Sequence, residues 1–316
     1  MQATRWRALT FIAALIMLGA ACGDGGDSAA QPASDLSGSI QIDGSSTVEP
    51  LSLAIAEEYR TQAPDVTVNV GRAGTGGGFE RFCAGEIDIN DASRPIEEDE
   101  LAACEANGVE YIELQVGVDA LTVVTHPETD WTDCLTFDQM VRIFSPDGAT
   151  NWNQVDPAFP DVPLTIFAPD TDSGTYDFFV ETVLEPNGVE TSRQDYTASA
   201  DDNQIVTGIR GTPGSWGFFG FAFYQENQDG LKALEVDGGS GCVAPSVETA
   251  QNQSYPLTRP LYLYVKQEAL ARPEVADFVS FYLDNVNAVI SDVGYIPVTD
   301  ETLAQERAEF QAAVSA

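Results

Sequence analysis

A strand-like run, a short turn of glycine and hydroxyl residues, and a helical pattern recur in that order along this chain. Residues 38–43, GSIQID, alternate in polarity and lead into Gly44-Ser45-Ser46-Thr47. Residues 48–62, VEPLSLAIAEEYRTQ, then carry apolar side chains at helical spacing, with Pro50 in the first turn, where its missing N–H costs nothing. Ser46 and Glu49 stand at the spacing of a capping box. The second unit runs from a strand at 65–70, DVTVNV, through Gly74-Thr75-Gly76-Gly77-Gly78 to a short helix reaching Phe82. The third has a strand at Ile87-Asp88-Ile89, the sequence Ala92-Ser93-Arg94-Pro95, and a helix over 97–107 stopped by Gly108. Further on, a strand at Leu164–Ala168 precedes Asp172-Ser173-Gly174-Thr175 and a helix over 174–184. Strands that reach the next strand through a helix belong to a largely parallel sheet with helices on its faces.

The rest of the chain completes an α/β pattern. Residues 111–125 hold two apolar runs, YIELQV and ALTVVT, each with the look of a strand. A short helix is expected at Phe137–Phe144 and another at 203–209. Gly214–Phe223 reads as a buried turn and strand, and Leu261–Val265 as a strand. The longest amphipathic helix covers 273–290, and a last helix covers 300–314. The units fall into two groups, before and after residue 118, and the final strand and helices return to the first group.

The amino-terminal stretch does not belong to this pattern. Arg5 and Arg7 precede an apolar run at residues 8–21, too short to cross a bilayer, and Cys22 follows two alanines. This resembles a bacterial lipoprotein signal, in which the cysteine is lipidated and becomes the new amino terminus. In the usual pattern leucine stands three residues before the cysteine; here Leu18 stands four before and Gly19 takes the usual place. Ordinary secretory cleavage nearby is the alternative. Residues 23–37, rich in Gly, Ala, Ser and Asp, read as a flexible tether, so the expected order is signal peptide 1–21, tether 22–37 and then the fold.

Charge narrows the partners. The formal net charge is −36, and loss of residues 1–21 takes it to −38. Lys232 and Lys266 are the only lysines, so no basic stripe exists to neutralise a nucleic-acid backbone. Such a charge favours a soluble monomer. Four cysteines remain after Cys22, and an even set in an exported chain suggests two disulfides. Of three possible pairings we favour Cys83–Cys104, stapling neighbouring helices, and Cys134–Cys242, closing a long loop. A metal site is not expected, since there is no CxxC pair and His126 is the only histidine. No cofactor is implied.

The turns carry the chemistry. In an open parallel sheet they lie together at the carboxyl ends of the strands, where ligands bind. Each offers unpaired backbone N–H groups at a helix start, backed by the positive end of the helix dipole. Any one of them is adequately explained as a helix cap. Together, Ser46, Thr47, Val48, Thr75, Gly76, Ser93, Ser173, Gly174 and Thr175 form a donor-rich cage for a tetrahedral oxyanion. GTGGG fits neither the P-loop nor the dinucleotide fingerprint. Arg94, held toward extended geometry by Pro95, is the candidate cation, because a guanidinium can grip two oxygens at once; the alternative is a surface salt bridge to Glu97, Glu98 or Asp99.

With GSSTVEP, GTGGG followed by Phe79, DINDASRP and DSGTYDFF on one chain, residues 38–300 resemble the phosphate-binding proteins of bacterial ABC transporters. The resemblance implies a two-lobed, Venus-flytrap α/β fold of the type II periplasmic-binding-protein class, each lobe a mainly parallel sheet flanked by helices. Lobe I would comprise 38–118 plus 262–316 and lobe II 119–261, with hinges near 117–121 and 257–262. The resemblance implies phosphate contacts at Thr47, with Val48 beside it, at Thr75, and at Ser173, Gly174 and Thr175. The best-studied branch has an Asp after the Ala-Ser pair and an Arg four residues before the Ser-Gly-Thr; here those places hold Arg94 and Pro169. That leaves the proton-accepting carboxylate to be found, and Asp172 or Asp170 is the candidate. The implied role is capture of phosphate outside the cytoplasm and delivery to a membrane ABC permease. Sulfate, molybdate or a phosphonate as ligand, or phosphate sensing without transport, are the alternatives. A secreted phosphatase is disfavoured, since it would need an activated nucleophile or a metal cluster.

Overall fold

The computed structural model describes residues 35–315. The expected signal peptide, Cys22 and all of the tether up to residue 34 lie outside the described residues. The fold begins with strand β1 (Ser37–Gly44), helix α1 (Glu49–Gln62), strand β2 (Asp65–Val70), helix α2 (Thr75–Cys83), strand β3 (Ile89–Ala92), helix α3 (Glu98–Asn107) and strand β4 (Tyr111–Thr125). β1 lies between β2 and β3 and is parallel to both, as the successive helical crossovers require.

A second parallel block is formed by the strands Ser215–Gly220, Thr165–Pro169 and Thr197–Ser199. Two antiparallel strands join the blocks: β4 and the return strand Thr258–Lys266, which also pairs with β3. The result is one curled sheet carrying two α/β lobes, with the chain passing between them on β4 and the return strand. The two runs expected as separate strands at 111–125 are this one 15-residue strand. Its first part pairs with the return strand, its last part with Ser215–Gly220, and burial from Val116 to Thr125 lets it pass between the lobes without a turn.

Each lobe has its own core. In lobe I, Ile40, Ile42, Leu114, Leu263 and Val265 pack against Leu51, Ile55 and Tyr59 of α1 and Phe278, Tyr282 and Val286 of the helix Pro273–Val289. Lobe II is aromatic: Phe144, Trp152, Phe179, Trp216 and Phe218 cluster, with Phe179 stacked on Phe218 at 4.3 Å. Both expected disulfides are present. Cys83–Cys104 joins α2 to α3, and Cys134–Cys242 ties together the three-stranded sheet of Cys134–Thr136, Glu235–Asp237 and Cys242–Val243. The expected helix over 174–184 is an α-helix at Gly174–Phe179 that widens into a π-turn at Val180–Leu184.

Candidate functional site

The first turn is built to leave donors free. α1 begins at Glu49 with no side-chain cap, so the Ser46–Glu49 capping box does not form. Ser45 O accepts from Glu49 N and Ser45 Oγ from Thr47 N, at 3.0 and 3.2 Å. Among the described residues, the N–H groups of Ser46 and Val48 meet no acceptor. A second anchor fixes this turn against its neighbour. The buried Asp43 carboxylate accepts from Gly44 N and Ala73 N, both at 2.8 Å, and binds Arg81. Gly78 is required in the first turn of α2: a Cβ there would lie 1.9 Å from Asn90 Oδ1 and 2.6 Å from the Gly44 Cα. Gly74, at φ 79°, starts α2 from a conformation that favours glycine.

Thr75, Gly76, Ser93 and Arg94 lie along one wall of a cavity of about 600 Å³ that also reaches Ser46, Thr47, Asp177, Glu181 and Arg259. Thr75 and Ser93 are joined by their hydroxyls at 3.1 Å. Arg94 borders this cavity, but Glu100 holds its guanidinium with two bonds of 2.7 and 2.8 Å, and Glu97 approaches its Nε at 3.2 Å. The Glu100 hydrogen bond pushes the Arg94 pKa further up, as a satisfied cation requires. Its charge is committed within lobe I.

A second cavity, of about 320 Å³, adjoins Ser46, Thr47, Asp170, Asp172, Ser173, Gly174, Thr175, Asp119 and Arg259. The two turns meet here: a Cβ on Gly174 would come within 3.2 Å of Thr47 Oγ1. Ser173 Oγ accepts from Thr175 N at 3.2 Å and so serves as the helix N-cap. Asp172 is exposed, and its N–H donates to Asp170 Oδ1 at 3.1 Å.

The cation between the two turns is Arg259, which the sequence reading passed over. It is 7% exposed. Its Nη2 donates to Thr47 Oγ1 at 2.7 Å and to Gly174 O at 3.0 Å, so a single guanidinium touches both turns. Its Nε donates to Asp119 Oδ2 at 2.9 Å, and the guanidinium lies 4.2 Å from the centre of the Phe178 ring. Asp119, 5% exposed, is the direct register partner of Arg259 across β4 and the return strand. The pair therefore belongs to the two strands that connect the lobes. A signal for Arg259 was in the sequence: Arg259-Pro260 repeats Arg94-Pro95, and proline restrains the preceding residue in the same way at both places. Nothing comparable marks Asp119 among 50 acids.

Burial also shapes the acids nearby. Desolvation raises the Asp177 carboxyl, opposed by the positive charges of Arg259 and Arg72. Asp91, fully buried under the first turn, is pushed up to about 8 by desolvation, which outweighs the hydrogen bond it accepts from Ser52 Oγ at 3.0 Å. Tyr295, also raised by burial, donates through its hydroxyl to Thr47 O at 2.7 Å and steadies the first turn from the carboxyl-terminal side. The donor set is of backbone N–H groups, hydroxyls and one buried guanidinium. It is suited to a small multivalent oxyanion rather than to a metal or a planar cofactor.

Comparison with known proteins agrees with this chemistry. Residues 29–286 match the profile of the PBP superfamily domain. Protein SphX of Synechococcus elongatus is 47% identical over 264 residues, covering 82% of this chain and 77% of that protein. The phosphate-binding protein PstS of Staphylococcus epidermidis is 35% identical over 295 residues, covering 93% and 88%. Among solved structures, a possible phosphate binding protein from Planctomyces limnophilus superposes with a TM-score of 0.84 at 40% identity, covering 88% of this chain and 99% of that one.

Proposed function

The chain belongs to the PBP superfamily and has PstS-type phosphate-binding proteins among its relatives, and we propose that it captures inorganic phosphate in the cleft beside Arg259. The bound phosphate would pass to the permease of an ABC transporter. The observation that carries this reading is the placement of Arg259, buried where the Thr47 and Gly174 turns converge. On phosphate entry, an anion oxygen replaces Gly174 O as an acceptor for the guanidinium. Free N–H groups of Ser46 and Val48 at the start of α1 take further oxygens, as do Thr75, Ser93, Ser173 and Thr175 from the flanking walls. Arg94, held by Glu100, contributes field rather than a direct grip.

Discrimination against sulfate needs an acceptor for the proton that phosphate keeps and sulfate lacks. We assign this role to Asp119, not to the exposed Asp172. Its Oδ2 is engaged by Arg259 Nε, and Asp119 borders the cavity that holds both turns. A desolvated carboxylate facing sulfate would set lone pair against lone pair, at a cost of roughly 2 kcal/mol or more. The boundaries that go with this reading are lobe I at 38–118 plus 262–316 and lobe II at 119–261, closing on β4 and the return strand. We further propose an exported monomer held near its permease by lipid on Cys22, with binding and no catalytic step. Titration calorimetry with phosphate, sulfate, molybdate and methylphosphonate tests the assignment. Tight binding of phosphate alone supports it, and preference for another anion of the panel overturns it.

A further inference from the structure

We propose that Arg72 is the capture residue of the cleft, a cation that governs how fast phosphate enters rather than how tightly it is finally held. The proposal rests on the phosphate reading above. Among the described residues, three cations border the two cavities: Arg72, Arg94 and Arg259. Two are immobilised. Arg259 is buried and bonded to Asp119, Thr47 and Gly174, and Arg94 is gripped by both oxygens of Glu100. Arg72 differs from both. Its side chain is 54% exposed, and among the described residues its one ionic contact is a single 3.4 Å approach to Glu49. Among the described residues its guanidinium donors meet no other acceptor, and it borders the same cavity as Thr47, Ser173–Thr175 and Arg259.

The surroundings give this cation work to do. Asp170, Asp172 and Glu49 lie near it, Asp177, Glu181, Glu185 and Glu97 line the adjoining cavity, and the chain as a whole carries −36. A phosphate dianion nearing these cavities meets many carboxylates, and Arg72 is the most exposed of the three cations that offset them. Its position, on the loop between β2 and α2 that Asp43 ties to the first turn, sets it against the same cavity as Arg259. A partly solvated charge at a rim acts on association rate and salt dependence, whereas a buried, hydrogen-bonded charge acts on dissociation.

Stopped-flow tryptophan fluorescence with inorganic phosphate tests this on the mature protein and on Arg72→Gln and Arg72→Glu, each first checked for an unchanged melting temperature. The expected result is association slowed by about 10-fold in Arg72→Gln and further in Arg72→Glu at low salt, with dissociation changed less than about twofold. The difference shrinks in 0.5 M salt, where the Debye length falls to about 4 Å. Unchanged association, or a loss carried by faster dissociation, overturns the role of Arg72 while leaving phosphate binding intact. No phosphate binding by the unsubstituted protein overturns both.

Discussion

Arg259 and Asp119 face each other across the two strands that join the lobes, Nε to Oδ2 at 2.9 Å, and each is less than 10% exposed. Neither charge would be stable there alone. Together they place a guanidinium at the meeting point of the turns without rotamer freedom, so little reorganisation is needed when an anion arrives. Because both residues sit on the connecting strands, the pair is fixed by the register of β4 and the return strand rather than by either lobe alone.

Removing one partner strands the other. Arg259→Ala is expected to abolish measurable phosphate binding and to cost about 3–5 kcal/mol of stability, since Asp119 is left buried and unpaired. The double substitution Arg259→Met with Asp119→Leu should recover much of the stability and none of the binding. Denaturant unfolding and calorimetry on both variants separate the two effects.

Asp119→Asn keeps the shape of the side chain and an oxygen for Arg259 but can turn an N–H toward the ligand. Phosphate affinity should fall by about 10-fold or more, and sulfate binding should appear or strengthen. Competition calorimetry measures the ratio. An unchanged phosphate-to-sulfate ratio returns the acceptor role to Asp170 or Asp172.

Asp91 titrates at about 8 in the fold against 3.8 when free, so its shift opposes folding. Below the unfolded value both states hold the proton and nothing is lost. As pH rises from about 4 to about 8 the unfolded chain releases its proton first, and stability falls by up to about 1.4 kcal/mol per unit before levelling. Asp91→Asn has no such term, so its stability relative to the unsubstituted protein should climb across that window. Urea unfolding at pH 5, 6.5 and 8 reads this directly; a constant difference would contradict it.

The disulfides should contribute unequally. Cys134–Cys242 spans 108 residues and Cys83–Cys104 spans 21. Loop-closure entropy assigns about 4–5 kcal/mol to the first and about 3 to the second. Thermal unfolding of Cys134→Ser/Cys242→Ser should therefore show the larger drop in Tm.

The fold was legible because parallel βα units write themselves locally. Apolar runs, the Gly-rich turns and the stop at Gly108 fix their own elements, and the turns were readable as donors for the same reason. What could not be read was long-range pairing. β4 looked like two strands because its two partners, Thr258–Lys266 and Ser215–Gly220, lie about 100 or more residues downstream. The same distance hid Arg259, whose value comes from Asp119 at 140 positions away and from Thr47 at 212. Arg94 stands out by its neighbours in sequence, yet Glu100, six residues on in the first turn of α3, satisfies it.

The most direct test of the account is a crystal structure of the mature protein with phosphate bound. It predicts phosphate oxygens within hydrogen-bond distance of the Arg259 guanidinium and of Asp119, with the Ser46 and Val48 N–H groups as further donors. Phosphate held by Arg94, with Arg259 still bonded to Gly174 O, would contradict it.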